Sequence, residues 1–208
     1  MRIWHYTVGA SLRAILRDEQ INPATASAGK GVRALVWCTT SPQWEPTANK
    51  SWMDRNGRVT RLDKEDTEAY GEGLYRIGIL SDAVPYVWED FKQLSGVTEG
   101  IAVALEQVAR ELGSNCSDWR MSFEPIARHQ WLRIEFEVKG HQWVEIAWET
   151  AKAWTQSIWQ KGCPCCAVTD KQTGHPWRYM PDPRTGEPRV MCGLCYERVE
   201  STLRPRRS

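Results

Sequence analysis

Neither sign of charge prevails in this chain of 208 residues: 27 lysines and arginines stand against 26 aspartates and glutamates, a net charge of +1. Global electrostatics therefore supply no argument for a polyanionic partner. No run of 18 apolar residues occurs, so no transmembrane helix is expected. The N-terminus shows no basic stretch followed by an apolar one, so no secretory leader is expected and the expected location is cytoplasmic. Internal repeats and low-complexity segments are also missing.

What the chain does have is tryptophan, 12 of them, and 7 cysteines that fall in two groups. Indoles on this scale pack a core and leave some over to line a pocket or stack on rings. Cys38 and Cys116 stand alone and read as small buried hydrophobes. The other five crowd between positions 163 and 195, the pattern of a metal site rather than of a disulfide framework. With 41% hydrophobic and 25% charged residues, the length suffices for one core and an appendage.

Along the chain, a helix is expected from about Ala10, with Leu12, Ile15 and Leu16 on its buried face and a stop at "INPA", where Asn22 precedes Pro23. "RALVWCTT" (33–40) reads as a buried strand, and "SPQWEPTANK" (41–50) as an ordered loop held by two prolines. Residues 54–72 read as polar and exposed, and "GLYRIGIL" (73–80) as a second strand. "TEGIAVALEQVARELG" (98–113) reads as a helix burying Ile101, Ala104, Leu105, Val108 and Leu112, closed by Gly113. "WRMSFEPI" is a short strand, "WLRIEFEV" and "HQWVEIAW" form a hairpin about Lys139-Gly140, and 149–160 read as helical. Helices and strands alternate, then strands accumulate. The expected class is α+β with a mixed or antiparallel sheet and flanking helices, occupying residues 1–150, followed over 151–208 by a linker helix, a small metal module and a basic tail.

Cys163-Pro-Cys-Cys166 and Cys192-Gly-Leu-Cys195 are two Cys-x-x-Cys turns with 25 residues between them. Each turn sets two sulfurs on one side of a tight loop, and two turns facing each other complete the tetrahedral thiolate shell that zinc prefers. Cys163, Cys166, Cys192 and Cys195 are the expected ligands of one Zn²⁺; Cys165 is surplus and its role open. Four thiolates leave no open coordination position, so the metal is expected to be structural. Trp177, Arg178, Tyr179, Arg184 and Arg189, with the closing "TLRPRRS", offer rings and guanidinium groups to DNA or RNA, although the two aromatics are equally suited to covering the module's small core.

"WHYTVGASLRAILRDEQINPA" (4–24) resembles the opening of ADP-ribosyltransferase domains of the DarT and RNA 2′-phosphotransferase type, in which a His-Tyr-Thr strand leads into a helix. "VWCTTSP" is similar to their next strand motif, whose hydroxyls edge an NAD pocket. The resemblance covers roughly residues 1–140. It implies a split-sheet α+β fold that clasps NAD, with His5 on a ribose hydroxyl and Thr7 fixing the cofactor at the strand end; Thr39 and Ser41 are the matching hydroxyls. It also implies a late glutamate that opposes the positive charge growing as nicotinamide leaves. Glu124, in "SFEPIARHQWLRIEF", is the first choice and Glu135 the second, with Glu137 and Glu145 behind them.

Beside the resemblance, Arg33 stands where a guanidinium can clamp a pyrophosphate, or simply end a strand in solvent. Trp44 and Glu45, between two prolines, are placed to wall a nicotinamide pocket, with Lys50 as a further polar contact. The function implied is NAD-dependent transfer of ADP-ribose to a macromolecule, a nucleic acid ahead of a protein. The alternative is a non-catalytic module that binds nucleic acid or protein and carries a structural zinc ribbon.

Overall fold

Strand β1 (Ile3–Val8) lies at the centre of a six-stranded sheet because both its faces are buried. The computed structural model describes residues 2–24, 31–53, 59–138, 142–152, 177–181 and 188–192, with side chains omitted at 52, 53, 70 and in the last two segments. After β1 come α1 (Gly9–Asp18), the short β2 (Gln20–Ile21), β3 (Val36–Thr39), β4 (Ser51–Met53), β5 (Val59–Arg61), α2 (Lys64–Gly71) and β6 (Leu74–Ile79). Then follow α3 (Trp88–Leu94), α4 (Glu99–Glu111), β7 (Trp119–Ser122), β8 (Ile126–Ala127), β9 (Trp131–Val138) and β10 (Gln142–Ile146). The large sheet has the order β10-β9-β6-β1-β3-β7, and every neighbouring pair in it is antiparallel. The class is α+β, as expected from the sequence.

Helix α1 buries Leu12, Ile15 and Leu16, the stripe that its spacing predicts, against Ile77, Ile79, Ile134 and Phe136 of the sheet. Each such fully covered side chain contributes roughly 1.5–3 kcal/mol relative to its exposed state. The helix ends earlier than expected. Asp18 is its last residue, Glu19 turns left-handed at φ 52°, and the chain is already extended as β2 before it reaches Pro23. Gly9 opens the helix against the backbone of Glu72, whose carbonyl oxygen lies 2.3 Å from where a β-carbon would stand.

The opposite face of the sheet carries Trp4, Tyr6, Val8, Trp44 and Leu74. A third cluster joins α3, α4 and β7 through Trp88, Phe91, Ala102, Ala109, Trp119 and Met121. Residues 54–72, expected to be polar and exposed, contain α2, capped by the Asp63 carboxylate, which accepts from the Asp66 N–H at 2.7 Å. The hairpin of β9 and β10 pairs in the register Gln142↔Val138 to Ile146↔Ile134.

No helix among the described residues is long and apolar enough to cross a membrane. In the C-terminal part, β11 (Trp177–Pro181) and β12 (Pro188–Cys192) pair antiparallel, with Trp177 opposite Cys192. Cys163, Cys165, Cys166 and Cys195 lie outside the described residues, as does most of the expected helix over 149–160.

Candidate functional site

Strands β1 and β6 stay in register from Ile3↔Ile79 to Val8↔Leu74. Between β1 and β3 only Trp4↔Thr39 pair, and the sheet opens beyond that point. The His5 imidazole spans the opening, with Nδ1 2.8 Å from the carbonyl oxygen of Trp37. A carbonyl can only accept, so Nδ1 carries the hydrogen, and in the neutral ring Nε2 is left as an acceptor. Burial, with a smaller contribution from the Lys50 charge, lowers the His5 pKa to about 4 despite the bond to Trp37, so the ring is neutral at physiological pH.

A cavity of about 590 Å³ lies at this opening, a size typical of small-molecule sites. Its walls come from several separate parts of the chain. Strands β1 and β3 supply Trp4, His5, Tyr6, Trp37 and Thr39. The loop before β4 supplies Glu45, Asn49 and Lys50, and β5 supplies Arg61. Leu105 and Val108 of α4 and Trp119 of β7 complete it. These two α4 residues belong to the apolar stripe expected to be buried. They are only half-buried because they face the cavity, while Ala102 and Ala109 are the residues α4 buries.

The polar groups on the wall differ in how they are held. The Glu45 carboxylate is buried, 7% exposed, with Oε1 accepting from the Thr47 N–H (3.3 Å), the Thr47 hydroxyl (2.8 Å) and the Ser114 hydroxyl. Burial pushes the Lys50 ammonium below the usual lysine range, and no carboxylate pairs with it among the described residues. Arg61 likewise has no ion-pair partner there. The indoles of Trp37 and Trp119 meet edge to face at 5.4 Å and give the cavity an aromatic side.

Of the residues singled out from the sequence, His5, Thr39, Glu45 and Lys50 stand on the cavity wall. Thr39 is fully buried and its hydroxyl accepts from the Ser41 N–H at 3.1 Å. Thr7 is buried and lies away from the cavity. Ser41 supports the site from behind: its carbonyl accepts from the Tyr6 hydroxyl at 3.0 Å. Trp44 is buried against Tyr6, its indole N–H donating to Asn49 at 2.8 Å, so it braces the loop that carries Glu45.

Arg33 and the two preferred glutamates lie elsewhere. Arg33 sits over the Phe123 ring and pairs with Glu124 at 3.6 Å, and the Glu124 side chain is 80% exposed. Glu135 is locked to Arg76 at 2.5 Å in a buried pair. Alternation along "RIEFEV" puts Glu135 and Glu137 on one face, as expected, but that face meets Arg76 and Lys64 rather than the cavity.

Sequence reasoning did not single out Trp37, Ser114, Trp119 or Arg61 as site residues. Trp37 and Trp119 could have been suspected from their parity on adjacent strands; Ser114 and Arg61 carry no local signal. No family model, no characterised protein and no solved structure matches the chain.

Proposed function

We propose that this chain transfers ADP-ribose from NAD to a macromolecular acceptor, a nucleic-acid base ahead of a protein side chain. The observation that carries the reading is His5: a neutral imidazole, oriented by the Trp37 carbonyl, on the wall of a cavity at the point where an antiparallel sheet splits. The sparse pairing of β1 with β3, confined to Trp4↔Thr39, supports the reading of a divided sheet of the ADP-ribosyltransferase type with the His-Tyr-Thr strand beside the opening.

The wall chemistry suits the parts of NAD. Nε2 of His5 accepts from a ribose hydroxyl. Lys50 and Arg61, without carboxylate partners among the described residues, answer the negative pyrophosphate. The Trp37 and Trp119 indoles offer faces and edges to planar rings. Neither Glu124 nor Glu135 reaches this wall, so the carboxylate that such chemistry needs comes from another position.

For the C-terminal module the reading is a zinc ribbon. The donor set of Cys163, Cys166, Cys192 and Cys195 fits a closed tetrahedral shell, and the β11–β12 backbone hairpin lies between the two Cys-x-x-Cys turns. With the basic tail it would hold a nucleic-acid acceptor, as charge–phosphate contacts do.

The test is incubation of the full chain with NAD, alone and with single- and double-stranded oligonucleotides. Nicotinamide release together with an oligonucleotide mass increased by one ADP-ribose is the expected result. Release without any modified macromolecule would replace transfer by hydrolysis. Absence of both NAD binding and nicotinamide release would leave a binding module.

A further inference from the structure

The Glu45 carboxylate is held asymmetrically. Three hydrogen bonds, two from Thr47 and one from Ser114, converge on Oε1. Oε2 accepts none from the described residues. A carboxylate kept only to fasten a loop would be expected to share its donors, because a buried oxygen with unused lone pairs is costly. Among the described residues, the Trp119 Nε1 is a buried side-chain atom sealed from solvent without a partner, and Oε2 of Glu45 is not such an atom. Oε2 of Glu45 is therefore not sealed, and Glu45 is the one carboxylate among the described residues on the cavity wall.

The loop around it is built for precision. Glu45 caps the single turn Pro46–Ala48 and lies between Pro42 and Pro46, next to Trp44, which is wedged against Tyr6 at 5.3 Å. Ser114 reaches the carboxylate from the far end of α4, so two distant segments fix its position. Prepaid ordering of this kind is what allows a charge to act on a reacting centre without reorganising.

We infer that Glu45 is a catalytic residue of the cavity, with Oε1 as its anchor and Oε2 as the oxygen that meets the substrate. The inference rests on the reading of the cavity as an NAD site. In that reaction the bond between the ribose C1′ and the nicotinamide nitrogen breaks, and its electron pair stays on the nitrogen, so nicotinamide leaves neutral. The positive charge passes to the ribose as an oxocarbenium-like centre. Oε2 accepts a hydrogen bond from the ribose hydroxyl beside that centre and opposes the charge. The acceptor's lone pair then forms the new bond to C1′, and the acceptor's proton leaves to solvent.

Glu45→Gln in the full chain is the direct test. Glutamine keeps a carbonyl oxygen for Thr47 and Ser114 and places an uncharged amide where Oε2 stood. The expected result is a fall in kcat for nicotinamide release of about 10²–10³-fold, with NAD affinity and thermal midpoint close to those of the wild type. Ser114→Ala keeps the charge but loosens Oε1, and is expected to lower kcat several-fold with KM unchanged; it carries the test if Glu45→Gln fails to fold. Wild-type kcat in either the folded Gln variant or the Ala variant, whatever happens to their thermal midpoints, overturns the assignment and makes Glu45 a loop anchor. If the wild type neither binds nor cleaves NAD, the NAD reading itself falls and takes the assignment with it, an outcome distinct from an active wild type with an equally active Gln variant.

Discussion

The Nδ1 of His5 donates to the Trp37 carbonyl at 2.8 Å, so a side chain of β1 supplies a β3 carbonyl with the donor that a strand neighbour would otherwise give. Stability should record this. The folded-state pKa is about 4, below the ordinary 6.5, so between those pH values the unfolded chain takes up a proton that the folded one refuses. The contribution of His5 is complete above pH 6.5 and is lost as pH falls from 6.5 to about 4, by up to roughly 3 kcal/mol. Urea unfolding at stepped pH should show that slope, and His5→Gln should flatten it. An unchanged slope in the variant would assign the effect to other groups.

His5→Ala is expected to weaken NAD binding with a smaller effect on the rate at saturation, because the hydroxyl contact exists before reaction as well as during it. Titration of tryptophan fluorescence with NAD measures the first quantity directly, and the indoles of Trp37 and Trp119 are placed to report it. Affinity equal to the wild type would remove His5 from the site.

Glu124 and Glu135 should behave differently from each other and from Glu45. Glu124→Gln is expected to leave stability and nicotinamide release unchanged, since the side chain is in solvent. Glu135→Gln leaves the buried Arg76 guanidinium short of its counter-charge and should destabilise the fold by about 3 kcal/mol. The turnover of its folded fraction should match the wild type. A Glu135 variant that folds normally but does not cleave NAD would restore it as the catalytic carboxylate.

Gly9→Ala tests packing rather than chemistry. The added β-carbon would meet the Glu72 backbone, which cannot rotate away as a side chain does. A loss of about 1–3 kcal/mol is expected, read as a lowered thermal midpoint. A midpoint equal to the wild type would mean that α1 can shift on the sheet.

For the C-terminal module, metal analysis of protein purified without chelator should find about one zinc per chain. Cys192→Ser should release the metal and open 177–192 to protease, because a structural zinc contributes folding energy directly. Metal-free wild-type protein would end the zinc reading.

The sequence was most informative where a periodic pattern met a core. Leu12, Ile15 and Leu16 announced α1, and "WLRIEFEV…HQWVEIAW" announced its hairpin, because one buried face imposes one period. Residues 64–71 went unrecognised as a helix because α2 is polar almost throughout; its start signal was local, Asp63 as cap with Glu65 and Asp66 in the first turn. The seven-residue α3 is too short for periodicity to register. At the site, His5 and the loop at 41–50 were legible because an unusual triplet and a proline-bracketed aromatic stand out in isolation. The choice among glutamates was not. Whether a carboxylate faces a cavity or an arginine is decided by strand register, and Arg76 lies directly between Tyr6 and Glu135 across three strands.

Arg76 has one further consequence. Its guanidinium lies over the rings of Trp4 and Trp143, binds Glu135 and donates to the Pro42 carbonyl at the root of the Glu45 loop. Strand, hairpin and loop thus share a single rivet. A loop pinned from beneath in this way has little freedom left to surrender when a ligand arrives, so association should be limited by diffusion and desolvation rather than by waiting for a mouth to form. The same rivet gives Trp143, on the rim strand β10, a lever on the cavity: shaving that ring would be felt at Pro42, just past β3 and four strands along the sheet, as a slackening of the wall.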